Sequence, residues 1–110
     1  MKIICVPLTM ESMRLLDIND CPDSLLESFH LTEEEYKKLL ASGAVEAINK
    51  TLGKIIDDYE DETINTNEDL SKALAIFEAH LTPENSSVIK KLIHLNTVAI
   101  KSHTGLFFFF

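Results

Sequence analysis

The chain closes on Leu106-Phe107-Phe108-Phe109-Phe110, and this LFFFF run sets the fold. Four consecutive phenylalanines cannot all face water. In an extended strand successive side chains point to opposite faces, so both faces of this strand need cover. The run follows Ser102-His103-Thr104-Gly105, a helix-breaking segment. Its natural neighbour is Lys2–Leu8. There Ile3, Ile4, Cys5 and Val6 are apolar without alternation, and Pro7, which has no N–H to donate, marks the end. Two strands are marginal alone, so a third is needed. The candidates are the 54–65 region, a second copy of the chain, or a partner's edge strand.

Between these ends the spacing predicts helices. Thr9 caps a short one over Met10 to Leu16, with Met10 and Met13 as core filler. Asp23 or Ser24 starts another through Phe29, burying Leu25, Leu26 and Phe29. Thr32-Glu33-Glu34-Glu35 is a capping box for a helix running to Ala41. The stretch VEAINKTLGKIIDDYEDE, Val45 to Glu62, places Val45, Ile48, Leu52, Ile55 and Tyr59 at steps of three and four, on one helical face. Gly53 inside it marks a kink or a close approach. Glu68 to Leu81 forms the next helix, capped by Thr66 or Asn67, and Leu81 belongs to its apolar face. Thr82 and Pro83 open the last, which runs through about Lys101. The expected fold is α+β: one domain, residues 1–110, with helices packed on a small sheet built from strands 2–8 and 106–110.

Of the 110 residues 45% are hydrophobic, as suits a folded core, and the net charge is −8. Residues 57–84 hold nine acids and one base, Lys72, net −8. Residues 85–110 hold three lysines and no acid, and residues 1–56 hold nine acids against six bases. The negative field is thus concentrated in the third quarter. It repels nucleic acid, which is bound by neutralising phosphates, and attracts a basic protein. A solvated face that only aids solubility is the plainer alternative. Two cysteines are too few for a disulfide scaffold, and a reduced, cytoplasmic protein is expected. The IICVPL opening is too short for a signal peptide, and no stretch approaches the roughly 18 apolar residues of a membrane span.

No catalytic or metal motif is present. His30, His80, His94 and His103 do not pair at ligand spacing. The acids at 57–62 lack the DxDxDG pattern of a calcium loop. No serine sits in a GxSxG elbow, and no glycine-rich phosphate loop exists. The expectation is therefore a non-enzyme without a cofactor. The acids are read as a docking patch on a helix end: Asp57, Asp58, Glu60, Asp61 and Glu62, helped by Glu68 and Asp69. Tyr59 either completes the buried helical stripe or anchors a partner at the patch edge.

The MKIICVP opening, the IIDDYEDE segment and the closing SHTGLFFFF together resemble small immunity proteins of bacterial toxin systems, especially those of contact-dependent growth inhibition. That resemblance implies a cytoplasmic protein that neutralises a cognate toxin domain, often a basic nuclease, by stoichiometric occlusion. A regulatory adaptor or nucleic-acid mimic for another basic protein is the alternative, and a small enzyme with an unrecognised site is a third. Monomer or homodimer is left open.

Overall fold

The computed structural model describes residues 2–110. Strand β4, Leu106–Phe109, runs antiparallel to β1, Lys2–Pro7, with Ile4 opposite Phe108. The other edge of β4 carries β3, Asp61–Ile64, which sets Glu62 opposite Phe108. The third strand thus comes from within the 54–65 region. A fourth, β2 over Leu26–Leu31, pairs with β1, and the order is β2-β1-β4-β3.

Strand β2 corrects the short helix expected through Phe29. Only a single 3-10 turn, Asp23–Leu25, precedes it. Phe29 and Leu31 are buried while Ser28 and His30 are exposed, a period of two that stays hidden when the reading stops at Phe29. The two end strands fill the middle of the sheet, which is why both are apolar on both faces. One face presents Ile4, Val6, Phe29, Leu31, Ile64 and Phe108 to the core. The other carries Cys5, Phe107 and Phe109. It is partly roofed by α1, Met10–Asp17, whose Leu16 lines a cleft with Cys5 and Phe109. The Phe107 and Phe109 rings stack there at 6.2 Å.

The core face is covered by α2 (Glu33–Ala41), α3 (Ala44–Leu52), α4 (Asn67–Ala79) and α5 (Ser86–Ser102). The capping box at Thr32 forms as expected: Glu35 N donates to Thr32 Oγ1 at 3.1 Å, and Thr32 N donates to Glu35 Oε1 at 2.9 Å. Helix α5 starts later than Pro83. Its cap position is Asn85, buried and bonded to Thr82 N and His80 O. Met10 is 59% exposed rather than core, and Leu81 lies past the end of α4 at 37%.

The largest correction concerns Val45 to Glu62, which is not one helix. Gly53 adopts φ +66° and ends α3 in the left-handed conformation. Residues 54–60 are irregular, and Asp61 begins β3. Val45 and Ile48 are buried as the stripe required, but Ile55 is 62% exposed and Tyr59 95%.

The start of β4 is held tightly. Thr104 Oγ1 donates to Pro7 O at 2.6 Å in a buried bond. A Cβ on Gly105 meets Ile64 O and Asn65 Cβ, both at 3.0 Å. Gly105→Ala is therefore expected to push β3 from β4 and cost about 1–3 kcal/mol, an overpacking penalty. Urea unfolding checks this, and an unchanged midpoint would show that the backbone there yields freely.

Candidate partner-binding surface

The acids at 57–62 sit on a turn and an edge strand, so their order must come from contacts other than a helix ladder. The Asn49 side chain, on the last turns of α3, clamps the departing chain. Its Nδ2 donates to Ile56 O at 3.0 Å, and Ile56 N donates to its Oδ1 at 2.9 Å. Glu62 reaches back as a staple, accepting from Ile55 N at 3.0 Å and Thr63 N at 2.9 Å. Within the turn Asp58 N donates to Asp57 Oδ1 at 2.8 Å, and Glu60 N to Asp57 O at 3.2 Å. Phe110 N donates to Glu60 O at 3.3 Å, tying the turn to the chain end.

Lys2 is the central fastener. Its ammonium lies 2.6 Å from Asp58 Oδ1. It stands 4.5 Å over the Tyr36 ring and 5.7 Å from that of Phe110, in cation–π range. The Lys2 hydrogen bond, then Tyr36, hold Asp58 below the usual carboxylate range. Burial, then the Asp58 carboxylate, push the Tyr36 phenol up to about 12. That hydroxyl is enclosed beside Asp58, yet makes no hydrogen bond of ordinary geometry. For Glu62 burial works to raise the pKa, but the Ile55 and Thr63 amides and Lys54 outweigh it, and the net shift is downward.

The expected patch residues therefore fall into three groups. Asp57, Tyr59, Glu60 and Asp61 are exposed together on the turn and the first residue of β3. Asp58 and Glu62 are committed to holding the turn, through Lys2 and through Ile55, Thr63 and Lys54. Glu68 and Asp69 lie beyond β3, in the first turn of α4, where Glu68 pairs with Lys72 at 3.2 Å.

Tyr59 is the unusual member. It has φ +65°, and only two other non-glycine residues have positive φ among those described, Asn19 and His103. Asn and His are types enriched in that conformation, whereas a bulky aromatic residue is an outlier. The left-handed conformation costs roughly 1–2 kcal/mol for a residue with a side chain. At 95% exposure Tyr59 recovers little of it by burial, its nearest cation being Lys2 at 6.0 Å from the ring centroid. Sequence reasoning also passed over Leu40, 45% exposed beside this turn, and assigned Ile55 to the interior. The available signal was Gly53: read as a left-handed helix stop, it frees everything after it from the helical stripe.

Among the described residues no group of three or more His, Cys, Asp or Glu is arranged to hold a metal ion, and no helix is long and apolar enough to cross a membrane. Compared with protein-family models, with curated proteins and with solved structures, the chain matches none.

Proposed function

We propose that this protein is a stoichiometric binder of a basic protein, docking it on the 57–61 turn. Following the resemblance to immunity proteins of contact-dependent growth inhibition, we propose a cognate toxin nuclease domain as the partner. The observation that carries the reading is Tyr59: an aromatic ring held out in solvent, in a conformation glycine would adopt at less cost. Exposed strain of this kind points to function. Tyr is also enriched among the residues that dominate interface energies. Around it Asp57, Glu60 and Asp61 match the cationic cleft with which a nuclease grips phosphate. Direct nucleic-acid binding is disfavoured by the same charge. Action in the cytoplasm belongs to this proposal. Both cysteines are free thiols, and burial foremost, with Cys21 adding, pushes Cys5 up to about 11, leaving it inert.

The test is capture of the neighbouring upstream gene's product, at low and high salt. Neutralising Asp57, Glu60 and Asp61 together, to Asn, Gln and Asn, is expected to slow association about tenfold or more at low salt and to flatten its salt dependence. Dissociation should change less. Stopped-flow binding measures both, and unaltered association would place these acids outside the interface.

A further inference from the structure

We infer that the open edge of β2 pairs with β2 of a second copy of this chain, antiparallel about a two-fold axis at Ser28, so that the two sheets join into one. The inference is independent of the docking turn. That turn adjoins β3, at the far end of the order β2-β1-β4-β3, so both turns of the pair stay open.

The ladder fixes which backbone groups of β2 face outward. Leu8 N donates to Leu25 O at 3.0 Å, so Glu27 and Phe29 also turn their N–H and C=O toward β1, and Ser28 turns its own away. Pro7, opposite Leu26, agrees: it has no N–H, and its carbonyl accepts from Thr104 instead of a β2 amide. Among the described residues nothing bonds to the Ser28 N–H or C=O from outside the sheet. The other edge is protected. Phe110 N donates to Glu60 O, so on β3 it is Thr63 that faces outward, and its N–H is taken by Glu62 Oε1 at 2.9 Å. Strand β3 has four residues, with Asp61 exposed, whereas β2 has six in unbroken register, with no proline or lysine. A long edge without such protection is a template for another strand.

Register and charge select the occupant. About an axis at Ser28, each Ser28 N–H meets the Ser28 carbonyl of the other copy, Leu26 stands opposite His30, and Glu27 stands opposite Phe29. No charged residue of the strand then faces its own copy, the condition that a two-fold contact must meet. Lys91 Nζ lies 4.4 Å over the Phe29 ring, so the Glu27 carboxylate of each copy arrives beside the Lys91 ammonium of the other. Glu27 is 40% exposed and Lys91 56%, and each now has one contact at the surface, with His94 at 2.5 Å and with Glu35 at 3.8 Å. On the outer face Asp23 lines a cleft with Leu26, so His30 of the other copy arrives beside an acid. A foreign strand gains the same main-chain bonds, but only the second copy brings these side chains in this register.

The test is sedimentation equilibrium of the full-length chain from about 1 μM to about 1 mM. The mass is expected to rise with concentration from 12.4 kDa toward twice that, and exchange of the Ser28 amide hydrogen to slow in step. Ser28→Pro removes an outward N–H that makes no bond within the chain, a change edge strands tolerate, and should weaken the pair at least about tenfold. Ser28→Lys keeps the backbone donor and sets like charges across the axis, so it reads the same edge independently and should also weaken the pair. Glu27→Lys should weaken it about fivefold or more, and adding Lys91→Glu should restore the parent affinity. A monomer throughout, a dimer indifferent to both Ser28 variants, or a double variant no tighter than Glu27→Lys would overturn the inference. Each of these results leaves the docking turn untouched.

Discussion

Phe108→Ala is expected to cost about 3–5 kcal/mol, a large share of the roughly 5–15 kcal/mol that holds a domain together. Phe108 is 1% exposed, in an interior strand, and opposes Ile4 on one side and Glu62 on the other. Its ring meets that of Phe110 edge-on at 5.7 Å, and Phe110 in turn meets Tyr36 at 5.3 Å. Truncation opens a cavity at the junction of the sheet with the Lys2–Tyr36 cluster that supports the turn. The same change at Phe109 should cost distinctly less, because Phe109 points to the other face and stays partly exposed under α1. Chemical denaturation of the two variants reads the difference. Equal losses would mean that the two faces are equally packed, contrary to the burial described.

Tyr59→Gly is expected to move stability and binding in opposite directions. Relief of the left-handed conformation favours the folded state by roughly 1–2 kcal/mol. The added freedom of glycine in the unfolded chain returns roughly 0.5–1 kcal/mol of that. A net gain of about 0.5–1 kcal/mol should appear in urea unfolding. Affinity for the basic partner should fall by about 2 kcal/mol or more, close to thirtyfold, as for a central aromatic anchor. Tyr59→Phe separates ring from hydroxyl: retained binding assigns the effect to the ring. A less stable Tyr59→Gly protein that binds as well as the parent would make Tyr59 a structural residue and remove the main support for docking on the turn.

How legible each part was depends on how local its cause is. The cap at Thr9 and the capping box at Thr32 involve residues three apart, and both form; at Thr9 the structure adds a reciprocal bond with Ser12 that makes it a box as well. The apolar spacing of α4 and α5 extends over several turns: Leu70, Ala73 and Phe77 on the one, and Val88, Leu92, Leu95 and Ala99 on the other, recur at helical steps and are buried, with only the ends displaced. Strand β2 failed because its alternation is short and mixed with leucines that also fit a helix. The segment after Gly53 failed differently. Ile55 and Tyr59 continue a three-four spacing by coincidence, and one backbone conformation, φ +66° at Gly53, cancels it. The roles of the acids were not legible at all. Asp58 and Tyr59 are adjacent, yet one is held by Lys2 and the other stands free, because the Lys2 side chain, from the start of β1, reaches only the first in an ion pair.

The sequence by itself determined that the two chain ends pair inside a sheet backed by helices, because strands apolar on both faces have nowhere else to be stable. It also determined that the negative charge is concentrated in one quarter of the chain. Only the tertiary structure decided which carboxylates are spent on holding the turn and which remain open. That division depends on where Lys2, Asn49 and Phe110 arrive in space, and their distance along the chain carries no such information.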